Sequence, residues 1–479
     1  MAIVSLSATD LAAAIRRRDL SSREVMAAHL AQIDRFNPQF NAIVSRVAPD
    51  ALLVAADALD KDAAAGRFHG PLHGFPHAVK DTAPTRGIRT TQGSPLLRDN
   101  IPTSDSLVVE RMRRAGAIFI GKTNVPEFAL GSHTYNPVFG ITRNAYDPTR
   151  AAGGSTGGGA VALALHMVPL ADGSDFGGSL RNPPGWNNLF GIRPSFGRVP
   201  SAGDDVFGQS FATSGGLGRT VRDVGLLLSV QAGPDERVPF SLPDDPARLA
   251  QAFDRDWKGK RIGWLGDLGG ALPMEAGIME TCEKALNAFK AIGMTVDEAR
   301  LAVPAADMWR TAVTLRHWSV GADLLPFYAD PAKRALMKPE AIWEVEGSLK
   351  LSGQDVANAS VGRSRIYQAF RAQFEKFDFL VLPTAQVFPF DVATHWPREI
   401  AGRPMDSYHR WMEVAFPATM AGLPVLAVPA GFGGAHALPI GLQIIAPRHR
   451  DLAALQVGHA YEHASPWIAR TRPPVLARP

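Results

Sequence analysis

The chain has 479 residues, 46% hydrophobic and 20% charged, the composition of a globular protein with room for two or three ordinary domains or one large sheet. Its formal net charge is only +4, and its basic residues stand singly or in short groups such as Arg16-Arg17-Arg18, which leaves no electrostatic footprint for nucleic acid. The lone cysteine, Cys282, excludes an internal disulfide, and the longest apolar stretch, around Ala160 to Leu170, is too short for a bilayer and is broken by Pro169.

Met1 to Asp10 has no basic start, apolar stretch or small-residue cleavage site, so no secretory signal is expected and the cytoplasm is the expected compartment. Ser7-Ala-Thr-Asp10 and Ser21-Ser22-Arg-Glu24 each precede an apolar-periodic segment and predict two capped helices. Phe75 to Lys80 reads as a short extended run, Ser106 to Ala115 as a helix and Ile118 to Lys122 as β-rich. Ala160 to Leu165 predicts a buried helix with Gly157-Gly158-Gly159 at its positive N-terminal end. Pro239 to Pro246 reads as an excursion within one domain, because strand chemistry is alike on both sides of it. Arg261 to Leu268 predicts a strand, and the helix after it carries Cys282 on an apolar face, where a thiol behaves as a small buried hydrophobe. Phe377 to Pro383 is a further strand, and Gly422 to Gly431 with Pro439 to Ile445 a strand pair. No repeat at solenoid spacing is present. The alternation predicts an α/β sheet covered by helices on both faces.

In Gly173-Ser-Asp-Phe-Gly-Gly-Ser-Leu-Arg181 one serine directly follows two glycines, and Gly153-Gly-Ser-Thr-Gly157 places another upstream. Glycines let a substrate approach a hydroxyl closely and leave successive backbone N–H groups free to converge on an oxyanion. Ser179 is therefore the candidate nucleophile of a serine hydrolase. The upstream motif matches G-x-S-x-G, but Asn144 to Arg150 before it is polar and turn-like instead of a buried strand, which argues against a nucleophile elbow. No Gly-Lys-Ser/Thr follows the glycines, which argues against a phosphate cradle. Lys80 stands out in the apolar context Gly74-Phe-Pro-His-Ala-Val-Lys-Asp81. His73, His77, His133, His166 and His409 form no H-x-H or H-E-x-x-H pattern, so no metal is expected, and His77 reads as a hydrogen-bonded neighbour of Lys80.

Together the lysine and the two serine motifs resemble the amidase signature family. The resemblance extends through Gly121-Lys-Thr-Asn-Val-Pro-Glu127, Asn136-Pro-Val-Phe-Gly140, Phe190 to Pro200, Gly218-Arg-Thr-Val-Arg-Asp223, Ala421 to Gly431 and Leu438 to Gln443, and runs from about Leu6 to Trp467. It implies one domain over residues 1–479, with a signature core at about 70–225 and a more variable, substrate-shaping region at about 300–420. The implied fold is a large mixed, mostly parallel, twisted sheet sandwiched by helices, with no cofactor.

Carried over by position, the resemblance makes Ser179 the nucleophile, Ser155 a bridging serine held by a cis peptide bond and Lys80 the base. A lysine serves as a base near neutrality only if burial lowers its ordinary pKa. The N–H groups of Phe176, Gly177, Gly178 and Ser179 are then expected at the oxyanion, and Thr156 and Ala129 near the substrate. Asp175 and Arg181 are expected to form a structural ion pair, with Asp81 and Glu127 in the same scaffold category. Family substrates range from small aliphatic and aryl amides to carbamates, cyclic and fatty amides and glutamine. Trp309, Trp318, Phe327, Tyr328 and Trp343 could line an apolar pocket or belong to the core. The expected ligand is a small amide, with no nucleic acid or membrane partner and a homodimer compatible with the reading. The competing reading is the glutaminase subunit of a tRNA-dependent amidotransferase, which needs an arginine and a carboxylate facing the two charged ends of glutamine.

Overall fold

A computed structural model describes residues 3–203, 205–208 and 211–477. The first two helices begin where the caps predict: Ser7 caps Ala8–Arg17, and Ser21 with Glu24 closes a capping box on Ser22–Phe40, each such cap contributing about 1 kcal/mol. Eleven strands matter to the site. They are β1 (Ile43–Val44), β2 (Pro76–Lys80), β3 (Ile118–Thr123), β4 (Ala171–Asp175), β5 (Phe190–Arg193), β6 (Thr213–Gly218), β7 (Arg261–Trp264), β8 (Thr295–Glu298), β9 (Phe379–Pro383), β10 (Val425–Gly433) and β11 (Leu438–Ile445).

Strands β4 to β11 form one eight-stranded sheet in the order β8-β7-β9-β11-β10-β5-β6-β4. The sheet is mixed, as expected, but it is not mostly parallel. Only β8–β7 and β7–β9 run parallel, while β9–β11, β11–β10, β10–β5, β5–β6 and β6–β4 are antiparallel. The reason lies in insertion. β4 and β5 point the same way, as the intervening helix suggests, but β6 returns between them, and β11 likewise returns between β9 and β10. Helical alternation reports chain direction, not which neighbour completes the ladder.

A second sheet, β1-β3-β2, carries the lysine strand. Its edge strand β2 reaches β4 through a side chain: Asp172 accepts the Lys80 backbone N–H at 3.1 Å. The strands β2, β3, β9 and β11 are buried along their whole length, which explains why they read as continuous apolar runs instead of alternating ones.

The Gly157–Ala164 helix is entirely buried. Its second glycine is there because of close approach, since a Cβ on Gly158 would sit 2.3 Å from the Asn124 backbone nitrogen. Cys282 is buried, and burial pushes its thiol up, so it is the inert hydrophobe expected. The Pro-rich excursion ends in the 3-10 turn Pro246–Ala250 and is tied back by Asp244, 2.7 Å from Arg198. No helix among the described residues is long and apolar enough to cross a membrane. The segment between β8 and β9 contributes the helices Ala305–Tyr328, Pro339–Ser348 and Gly353–Gln373.

Candidate functional site

Three segments converge at the edge where β2 meets β4. Lys80 is the last residue of β2 and is buried. Its Nζ lies 2.8 Å from Ser155 Oγ, and Ser155 Oγ lies 2.9 Å from Ser179 Oγ, so the three candidates form one continuous hydrogen-bonded chain. Ser179, 7% exposed against 2% for Ser155 and 1% for Lys80, is the outermost member. The Gly154–Ser155 peptide is cis. Thr134 Oγ1 donates to Gly153 O at 2.7 Å and Ser132 Oγ to Gly154 O at 2.9 Å, which fixes both peptides leading into Ser155.

Burial lowers the Lys80 pKa to about 7, against the opposing pull of the Asp172 and Asp175 carboxylates. Besides Ser155, its Nζ meets Thr156 Oγ1 at 3.0 Å and the Ser174 carbonyl and Oγ at 3.1 Å. A neutral amine satisfies this arrangement by donating to Ser174 O and one hydroxyl while its lone pair faces Ser155. Hydroxyl rotors let the chain run in either direction. Chemically, it can draw a proton from Ser179 inward.

The Ser179 loop is built on Asp175. Its carboxylate accepts the Gly178 and Leu180 N–H groups at 2.9 Å and the Arg181 fork at 2.8 and 3.0 Å, with Arg193 at 3.1 Å. Burial works to raise this carboxyl, but Arg181 and Arg193 outweigh it and hold it well below the usual carboxylate range. The expected structural pair is present, enlarged by a second arginine. One expectation needs correction: the Gly178 N–H is occupied by Asp175 and is not open to an oxyanion. The Phe176, Gly177 and Ser179 N–H groups have no acceptor among the described residues.

Thr156 is a second correction. It is wholly buried, and its hydroxyl faces Lys80 Nζ, so it contacts the lysine and not a substrate. Asp81 and Glu127 are scaffold, but neither forms an ion pair among the described residues. Asp81 accepts from Thr91 Oγ1 at 2.6 Å and Glu127 from Ser94 Oγ at 2.9 Å, pinning one loop. His77 is a hydrogen-bonded neighbour through Asp172, whose Oδ1 it meets at 3.0 Å. Sequence reasoning missed Asp172 and Ser174. Their only signal was position, since both lie in the strand that leads into the Ser179 loop.

A cavity of about 410 Å³ opens beside Lys80, and its wall includes Ser174, Gln92, Phe128, Ala129 and Asp323. Lys80 is the one basic side chain in that wall among the described residues. Ala129, expected near the substrate, lines this cavity. The aromatic set divides: Phe327 stacks on the cavity residue Phe128 at 5.8 Å, Trp343 packs on His317 and Tyr408, Trp309 packs on His409 and Phe416, Tyr328 reaches Glu346, and Trp318 is exposed.

The sequence matches the model of the Amidase family over residues 24–455. This chain belongs to the amidase signature family. An acylamidase from Rhodococcus erythropolis is 33% identical over 96% of this chain and 96% of its own. A glutamyl-tRNA(Gln) amidotransferase subunit from Acidothermus cellulolyticus is 34% identical over 96% of this chain and 95% of its own. Among solved structures, a bacterial aryl acylamidase of the amidase signature family superposes with a TM-score of 0.89 at 29% identity, covering 98% of this chain and 99% of the other. The amidase is accordingly an amidohydrolase acting on carbon–nitrogen bonds. Identity alone does not separate an acylamidase from an amidotransferase subunit.

Proposed function

We propose that the chain is a stand-alone amidase that hydrolyses a carboxylic amide with an apolar or aryl group through an acyl-enzyme on Ser179. The observation that carries this reading is the unbroken chain Lys80 Nζ–Ser155 Oγ–Ser179 Oγ at 2.8 and 2.9 Å. Neutral Lys80 accepts the Ser155 proton as Ser155 accepts that of Ser179, and the Ser179 oxygen bonds to the amide carbonyl carbon. The Phe176, Gly177 and Ser179 N–H groups stabilise the resulting oxyanion. The proton returns through Ser155 to the amide nitrogen, the C–N bond breaks, and the amine leaves. Water then adds to the acyl carbon as its proton passes to the same chain, and the Ser179 ester bond breaks as that proton returns to Ser179 Oγ, releasing the acid.

The cavity beside Lys80, whose wall as described includes neither Ser155 nor Ser179, supports this over a glutaminase subunit if it holds the acyl or leaving group. Leu107, Val108, Phe128 and Ala129 supply apolar wall, and among the described residues that line it no guanidinium stands ready for the carboxylate of glutamine. Arg316, close to the Ser179 loop, is already engaged by Glu344 and Tyr408. Esters and aryl carbamates present the same carbonyl geometry and are expected side substrates.

The test is product release from aryl anilides, aliphatic amides, aryl carbamates, esters and glutamine by wild type and Ser179→Ala. Serine-dependent turnover of apolar amides supports the reading. Activity on glutamine alone, or none without a partner protein, replaces it with the amidotransferase reading.

A further inference from the structure

Much of the buried polar chemistry in the segment between β8 and β9 is aimed at the Ser179 loop instead of the cavity. Arg316 is buried on the Ala305–Tyr328 helix. Its Nε donates to Glu344 Oε1 at 2.7 Å and its Nη2 to Tyr408 OH at 2.7 Å, and Tyr408 OH donates to the same Glu344 oxygen at 2.5 Å. The guanidinium is thereby fixed 4.7 Å from the centre of the half-buried Phe176 ring. Phe211 packs on that ring as well, at 5.3 Å. Gly177, next in the chain, is backed by Phe416, whose Cζ would sit 2.8 Å from an added Cβ. Phe416 in turn meets Trp309 and His409 edge-on at 5.3 and 5.7 Å.

We infer that Arg316 is a positioning residue for the oxyanion loop, holding the Phe176 ring so that the N–H groups of Phe176, Gly177 and Ser179 keep their aim. The guanidinium acts by geometry, because Glu344 compensates its charge and its planar fork is what the two oxygens orient. An oxyanion donor displaced by a fraction of an ångström loses its advantage in the transition state and little in the ground state. The inference rests on the acyl-enzyme reading above.

The experiment compares Arg316→Lys, Arg316→Met and Phe176→Leu with wild type on an anilide substrate, with rates normalised to titrated active sites. Each is also titrated with a trifluoromethyl ketone analogue, which forms a tetrahedral adduct on the serine, and with the corresponding non-electrophilic alcohol. The expected result is a fall in kcat of about tenfold or more with KM changed less than about threefold. The ketone should weaken in parallel with kcat while the alcohol does not. Arg316→Lys, which keeps the charge, should not rescue. If Arg316→Met does not fold, Arg316→Lys and Phe176→Leu decide together, the second leaving the Arg316–Glu344–Tyr408 cluster whole. A kcat within about twofold of wild type in Phe176→Leu and Arg316→Lys, or a rise in KM at unchanged kcat, overturns the inference. Wild-type turnover in Ser179→Ala would instead overturn the underlying reading.

Discussion

If neutral Lys80 is the base, then pH controls the rate through one buried amine. With its pKa lowered to about 7 by burial, roughly half the enzyme is active at pH 7, about one-tenth at pH 6 and about nine-tenths at pH 8. The sign follows from the protonated form being the inactive one: kcat/KM falls tenfold per unit below the midpoint and is level above it. Asp172, hydrogen-bonded to the Lys80 backbone at 3.1 Å, is one of the two charges that pull the amine back up. Asp172→Asn keeps an oxygen to accept that N–H but removes the charge. The midpoint should therefore move down by about one unit, raising relative activity at pH 6 severalfold. The assay is kcat/KM for an anilide from pH 5 to 10 in both proteins. A profile still rising at pH 9, or an upward shift in Asp172→Asn, would refute the assignment.

Ser155→Ala interrupts the only side-chain link between Lys80 and Ser179 among the described hydrogen bonds, so kcat/KM should drop by about a thousandfold or more with the circular dichroism spectrum unchanged. Lys80→Met removes a group whose folded pKa lies below its unfolded one, so the unfolded state binds more protons between pH 7 and 10.5 and wild-type stability rises with pH through that window. The thermal midpoint of Lys80→Met relative to wild type should accordingly be higher at pH 6 than at pH 9, and an equal difference at both would argue against a buried neutral amine. Asp175→Asn leaves Arg181 and Arg193 under-compensated in the core and should cost about 3–5 kcal/mol, read as lost soluble protein or a lowered denaturation midpoint. Gly177→Ala presses a methyl on Phe416; kcat should fall more than KM rises, and Phe416→Leu in the same chain should restore part of it.

The site was legible wherever its chemistry is carried by short contiguous motifs. Ser179 stands out by its glycine flank and Lys80 by its apolar context, the resemblance alone assigns Ser155 its bridging place, and the structure draws the three into one chain. What could not be read were relations that only the folded backbone sets, between distant segments or within one tight turn. The resemblance puts Thr156 near the substrate, yet the helix it opens turns it inward onto Lys80. Gly178 looked like one more free N–H, and only the turn that brings the Asp175 carboxylate beneath it shows otherwise. The parallel sheet was over-read for the same reason: β6 and β11 are strands inserted from later in the chain, and periodicity carries no information about insertion.

The division between motif core and variable segment therefore does not map onto a division between chemistry and specificity. The proton chain is contained within residues 80–179, but the loop that carries Ser179 is braced by Arg316, Met412, Ala415 and Phe416. Arg181 likewise donates to the Ala415 carbonyl at 2.5 Å and to Thr419 Oγ1 at 2.7 Å. Asp323, which lines the cavity beside Lys80, sits on the same Ala305–Tyr328 helix as Arg316. Substitutions on that helix that shift Arg316 should consequently alter turnover, whereas Phe327, which touches the cavity residue Phe128 and stands apart from the brace, should affect turnover less.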